Sequence, residues 1–94
     1  MTKLGIKQIL KEWHFYISSE DLSVLDILMP IQTSITILVD TGQLDDKDIS
    51  IIDAFSSGYN YSEISRLFKI SRQTVASRID RIAVLISAEI GDLL

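Results

Sequence analysis

Apolar residues in the C-terminal half of the chain recur at the spacing of an amphipathic helix. Ile64, Leu67 and Phe68 lie at positions i, i+3 and i+4, which places them on one stripe of a helix. Ser62 is a candidate N-cap, and Glu63 would lie in the first turn, where a carboxylate favours the positive end of the helix dipole. The pattern predicts a short helix with one buried face.

A second helix is predicted directly after the first one. Ser71 is a candidate N-cap, and Ile70 would fill the corner between the two helices. The apolar stripe continues well beyond the first turns, so this helix is expected to be long. The extended stripe either packs against the N-terminal helices or pairs with a symmetry mate. Its apolar positions are Val75, Ile79, Ile82, Ile86 and Ile90, with Ala83 and Leu93 alongside.

The N-terminal segment has helical spacing that ends in an aromatic cluster. Its apolar residues predict an amphipathic helix that is interrupted or bent near Trp13–Tyr16. Either these aromatic side chains belong to the core, or Trp13, Phe15 and Tyr16 form a partner-binding face, since such residues often anchor interfaces. His14 is interpreted as a structural or surface residue. The apolar positions are Leu4, Ile6, Ile9, Leu10, Trp13 and Ile17.

The middle of the chain is less clearly patterned. A helix is predicted to start after Ser18 or Ser19 and to run through Leu28, and Pro30 either ends it or opens the next. The segment 31–40 is rich in β-branched residues, which favour a strand, but its apolar residues fall on one face of a helix. A helix is therefore favoured over a strand. Gly42 and Leu44 would then form a Schellman-type end.

Polar residues on the second C-terminal helix have the chemistry of DNA recognition. Burying the Val75 stripe turns them outward. Arginine can bind guanine with two hydrogen bonds, and glutamine can bind adenine in the same way. We predict that Arg72, Gln73 and Ser77 contact base edges and that Arg78 and Arg81 contact phosphates, with Thr74 in the same DNA-binding set.

These residues resemble the helix-turn-helix of sigma-70 region 4, most closely the extracytoplasmic-function type, and LuxR-type response regulators are similar. The segments YSEIS (61–65) and KISRQTVASRIDRI (69–82) carry the resemblance, which covers about residues 44–86. The family's usual small alanine is Ser65 here, and its usual turn glycine is Lys69. A lysine there implies either a left-handed backbone or a more open turn. The matching positions are Gly58, Tyr61, Glu63, Ile64, Ser71, Thr74, Val75, Arg78, Ile79 and Arg81.

The predicted fold is therefore all-α. An N-terminal helical module over residues 1–42 would serve as core, partner-binding surface or dimerisation element, and residues 44–94 would form the helix-turn-helix with its extended last helix. The helix that precedes YSEIS is expected to start with acidic capping residues, which are Asp45, Asp46 and Asp48.

Charge is unevenly distributed along the 94 residues. The chain carries a net charge of −4, whereas residues 61–82 hold five basic and two acidic side chains. A small basic face on an acidic protein neutralises few phosphates. We therefore expect the protein to bind double-stranded DNA as a homodimer or together with a partner such as RNA polymerase.

The remaining composition argues against an enzyme. The sequence has no cysteine and a single histidine, and it lacks a glycine-rich phosphate loop. Neither catalytic residues, nor a metal site, nor a cofactor is predicted, and a cytoplasmic protein without a membrane span is expected. Two functions remain: a sequence-specific transcription regulator, or a protein-interaction module that keeps the helix-turn-helix fold but binds RNA polymerase or another regulator.

Overall fold

Six helices account for the regular structure in the described part of the chain. The computed structural model describes residues 3–18 and 25–93, and the all-α prediction is confirmed. In these two ranges, no helix has the combination of length and apolar content that crossing a bilayer requires. The helices are α1 (Lys3–Lys11), α2 (Trp13–Ile17), α3 (Leu25–Asp40), α4 (Asp46–Ser56), α5 (Tyr61–Phe68) and α6 (Arg72–Leu93).

The long helix α6 is the element against which α1, α3, α4 and α5 pack. Its predicted stripe is buried along its whole length, from Val75 to Ile90. The stripe therefore packs within the chain, on the N-terminal helices among others, and is not exposed to a symmetry mate. Side chains from both predicted parts of the sequence, 1–42 and 44–94, join one hydrophobic core.

The N-terminal helix is interrupted at Glu12, directly before the aromatic cluster, as predicted. Helix α1 ends at Lys11, and the short α2 starts at Trp13. Ile6 and Leu10 are buried, but Ile17 is 64% exposed. The predicted stripe is therefore correct from Ile6 to Trp13 and wrong at Ile17, which lies beyond the interruption at Glu12.

Helix α3 passes through Pro30, so the prediction that this proline ends one helix or opens another is wrong. A proline inside a helix costs about 3 kcal/mol because it removes a hydrogen bond and crowds the preceding turn. Leu28 and Ile31 on either side are both buried, and each stabilises the fold by about 1.5–3 kcal/mol. Continuing the helix through Pro30 keeps both in the core. The predicted helix start after Ser18 or Ser19 lies outside the described residues.

The end of α3 has the predicted Schellman geometry. Gly42 has a φ of +78°, and the N–H of Gln43 donates to the carbonyl of Leu38 at 2.9 Å. The N–H of Gly42 donates to the carbonyl of Val39 at 3.1 Å, and Leu44 is buried. The helix prediction for residues 31–40 is confirmed, and the strand alternative is wrong.

Two substitutions on α6 test the packing of this helix. Ile82 is 0% exposed, whereas Val84 on the same helix is 51% exposed. We expect Ile82→Ala to lower the free energy of unfolding by about 2–5 kcal/mol, since it leaves a cavity in the core. Val84→Ala should change it by less than about 1 kcal/mol. Urea denaturation of both variants measures the difference, and equal effects would contradict the buried stripe.

Candidate nucleic-acid interface

Helix α5 begins one residue after Asn60, which is its N-cap. The side chain of Asn60 accepts from the Glu63 N–H at 2.8 Å, and the Asn60 N–H donates to the Glu63 carboxylate at 3.1 Å. Ser62 is therefore not the cap, and that prediction is wrong. Asn60 wins because it has Glu63 three positions later and so completes a reciprocal capping box. The placement of Glu63 in the first turn is confirmed.

The apolar face of α5 is narrower than predicted. Ile64 is fully buried and Phe68 packs on the core, but Leu67 is 60% exposed. The helix packs mainly on α4 and α6, and Leu67 points away from both. Its assignment to the buried stripe is wrong.

The turn between α5 and α6 is tight because Lys69 adopts a left-handed conformation, with φ +56° and ψ +44°. The N–H groups of Lys69 and Ile70 both donate to the carbonyl of Ser65. The hydroxyl of Ser65 in turn donates to the carbonyl of Ile70 at 2.5 Å. Ile70 packs against the core at the corner between the two helices, as predicted.

The first turn of α6 is capped by Ser71, which confirms that prediction. Its hydroxyl oxygen accepts from the N–H of Thr74 at 3.0 Å and lies 2.8 Å from the Thr74 hydroxyl. Arg72 approaches the hydroxyl of Ser62 on α5 at 3.4 Å. The cap holds the Thr74 side chain in place, and the guanidinium group of Arg72 lies over the start of α5.

Five of the six predicted DNA-binding residues line one shallow depression on α6, with a volume of about 390 Å³. Arg72 does not line it. Gln73 and Ser77 are exposed, so a ligand can reach their polar groups. The residues that line it are Gln73, Thr74, Ser77, Arg78 and Arg81.

A buried carboxylate underlies this surface. Asp48 is 1% exposed, and each of its oxygens binds one arginine of α6. Arg78 Nη1 donates to Oδ1 at 3.0 Å, and Arg81 Nη2 donates to Oδ2 at 2.6 Å. The carboxylate also completes a capping box with Asp45 at the start of α4. Arg78 and Arg81 are thus already ion-paired within the chain, while their side chains keep 29% and 49% exposure.

The two arginines keep Asp48 ionised despite its burial. Burial raises the pKa of this carboxyl group, but the hydrogen bonds from Arg81, from the Asp45 backbone and from Arg78 lower it more. The net pKa lies below the ordinary value of an aspartate. The group is therefore a fixed negative charge at neutral pH.

Asp48 has a role beyond the predicted capping, and the sequence contains a signal for it. Asp48 stands three, four and seven positions before Ile51, Ile52 and Phe55, all of which are buried. It therefore shares their stripe. A carboxylate on a buried stripe needs charged partners, and the arginines of α6 are those partners.

A second ion pair joins α6 to the N-terminal part of the chain. Lys7 Nζ lies 2.6 Å from Asp80 Oδ1. The hydrogen bond to Asp80 raises the pKa of Lys7 against the opposing effect of its partial burial. Asp80 is already included in the charge count over residues 61–82, whereas Asp48 is not. The basic face is therefore less positive than that count suggests, because Asp48 pairs with two of its arginines.

The aromatic residues predicted as a partner-binding face lie in different environments. Trp13 packs against the core, the Tyr16 hydroxyl donates to Glu12 at 3.2 Å, and Phe15 is 67% exposed. His14 Nδ1 lies 3.2 Å from the Ser56 carbonyl oxygen, which is consistent with a structural role. Of the three predicted partner contacts, Phe15 is the one that presents a large apolar surface.

Comparison with known proteins agrees with this geometry. Residues 49–83 match the family model of the helix-turn-helix domain. The match spans α4 from Ile49 onward, α5 and the first half of α6, but it does not single out sigma region 4 or the LuxR type. Neither the curated proteins nor the solved structures give a significant match to the chain.

The charge on Asp48 makes the stability of this helix-turn-helix domain depend on pH. Its pKa is lower in the folded chain than the value of about 3.9 in an unfolded chain. The stability that ionised Asp48 adds to the fold is therefore fully present above the unfolded-state pKa. It is lost as the pH falls through the pKa of the folded chain. We expect Asp48→Asn to lower the free energy of unfolding at pH 7 by about 1–2 kcal/mol, allowing for the partly exposed arginines.

Asp46→Asn is the matched control, since Asp46 is exposed in the same first turn. It should cost less than about 1 kcal/mol. The deficit of Asp48→Asn relative to wild type should shrink as the pH is lowered below about 4. Thermal denaturation at several pH values measures both effects. A deficit that did not change with pH would contradict the ion-pair assignment.

Proposed function

We propose that the chain is a sequence-specific DNA-binding transcription regulator in which the first half of α6 is the recognition helix. The observation that carries this proposal is that Gln73, Thr74, Ser77, Arg78 and Arg81 line one depression. These side chains supply donors and acceptors for base edges and positive charge for phosphates. The family match over residues 49–83 supports the same function.

We assign roles within the site from the position of each side chain. Gln73 and Ser77 are exposed near the start of the recognition helix, which is the part that enters the major groove in this motif. We assign them to base edges. Arg78 and Arg81 line the same depression and are held by Asp48. We assign them to phosphates. Arg72 lies outside the depression and would contact DNA at the edge of the interface.

The proposed regulator binds DNA as a homodimer or with a partner such as RNA polymerase, because one copy offers few phosphate contacts. The net charge of the chain is −4, and Asp48 already pairs with Arg78 and Arg81. Each neutralised phosphate adds a fixed increment to the salt dependence of binding. A face with so few free cations therefore gives weak binding on its own.

The protein-interaction alternative is supported by the exposure of Phe15 on α2. In that case the helix-turn-helix fold would serve to hold a surface for RNA polymerase or another regulator. The exposed polar depression on α6 has no comparable apolar anchor. We therefore prefer DNA as the ligand of that surface.

Base reading by Gln73 can be tested with Gln73→Ala. A duplex selected by the wild-type protein from a randomised pool serves as the specific probe. We expect the variant to lose about 1–3 kcal/mol of discrimination at one base-pair position, since a side-chain amide can pair bidentately with adenine. Its affinity for unselected duplex should stay close to that of wild type.

Gln32→Ala is the control, because Gln32 is an exposed glutamine on α3, outside the helix-turn-helix. It should leave both affinity and base preference unchanged. The selection is run with the protein alone, at a concentration that allows dimers to form, and again with RNA polymerase added. If the wild-type protein selected no sequence in either case, DNA reading would be refuted and the protein-interaction alternative favoured.

A further inference from the structure

The contact between Asp48 and the two arginines bears on how the recognition helix is placed on DNA. Each oxygen of the carboxylate takes one arginine, at 3.0 Å for Arg78 and 2.6 Å for Arg81. We propose that Asp48 is a positioning residue for DNA recognition: it fixes the two guanidinium groups so that their phosphate contacts set the register of α6. This inference rests on the proposed function.

Asp48 is suited to this role because it is itself immobilised. Its side chain is buried in the first turn of α4 and accepts from the backbone N–H of Asp45. Its own backbone N–H donates to the carboxylate of Asp45 at 2.8 Å. A carboxylate fixed in this way cannot follow a moving arginine, so it limits the rotamers of Arg78 and Arg81.

The arginines remain available to a ligand while they are held. A guanidinium group has five N–H donors, and the contact with Asp48 engages one terminal nitrogen of each. Arg78 and Arg81 keep 29% and 49% exposure and line the same depression as Gln73 and Ser77. Asp48 therefore holds them from the protein side, and their outer edges face the solvent.

This arrangement has two opposite effects on binding. Pre-oriented side chains lose less conformational freedom when they bind, and phosphate contacts fix the register from which Gln73 reads bases. A carboxylate near the interface also repels DNA. Removal of the charge should thus strengthen binding to any sequence while it weakens the preference for the selected one. A residue with a purely structural role would not separate these two quantities.

The test compares Asp48→Asn with Asp46→Asn, which removes the same charge from the same turn of α4. The probes are the duplex selected by wild-type protein and a duplex pool of equal length with a randomised centre. We expect both variants to bind the random pool at least as tightly as wild type does. Only Asp48→Asn should lose preference for the selected duplex, by on the order of tenfold.

The possible failures can be told apart. If both variants kept the wild-type ratio of specific to non-specific affinity, Asp48 would be a counter-charge only, and the positioning role would be wrong while the proposed function stood. If wild-type protein selected no sequence, both would be wrong. Circular dichroism shows whether each variant is folded.

A second variant keeps the proposal testable if Asp48→Asn does not fold. Arg81→Lys retains the positive charge but lacks the planar fork that a fixed orientation requires. We expect it to lose preference for the selected duplex while the salt dependence of binding stays that of wild type. Unchanged preference in this variant would overturn the positioning role.

Discussion

Burial of one stripe of α6 is the constraint on which the rest of the structure depends. The stripe runs from Val75 to Ile90 and is covered by α1, α3, α4 and α5. Because side chains on a helix repeat every 3.6 residues, this burial fixes the rotation of α6 about its own axis. Gln73 and Ser77 face outward as a direct consequence. The core and the candidate DNA surface are two sides of the same helix, so the packing of one determines the orientation of the other.

The Asp48 ion pairs link that rotation to α4. A buried carboxylate is unfavourable unless it is paired and hydrogen-bonded, and Asp48 meets this condition through a capping contact on α4 and two arginines on α6. Displacing either helix would leave the charge unpaired. The ion pairs therefore add a polar contact of defined geometry between the two helices to the apolar contacts of the core.

The elements that sequence reasoning predicted correctly are those with strong local signals. The Ser71 cap, the long stripe of α6 and the Schellman end at Gly42 each depend on residues close together in the chain. The Asn60 cap of α5 was missed although its signal, Glu63 three positions later, is local. The other errors arose where distant contacts decide. Pro30 lies inside α3 because the core on both sides of it outweighs the local penalty, and Leu67 is exposed because α5 has neighbours on only one side. The pairing of Asp48 with α6 was detectable in part, since its spacing predicts burial, but its partners lie 30 and 33 residues away.

The turn between α5 and α6 combines a strained backbone at Lys69 with a side-chain hydrogen bond that compensates it. A non-glycine residue pays about 1–2 kcal/mol for a left-handed backbone, and Lys69 adopts that conformation. Ser65, which stands where the family usually has alanine, donates from its hydroxyl to the Ile70 carbonyl across the same turn. Such a bond contributes about 0.5–1.5 kcal/mol, and a cation at the C-terminus of α5 adds a favourable interaction with the helix dipole. The hydrogen bond and the charge–dipole interaction are together large enough to offset the strain at Lys69. The turn therefore stays tight without glycine, and α6 keeps its angle to α5.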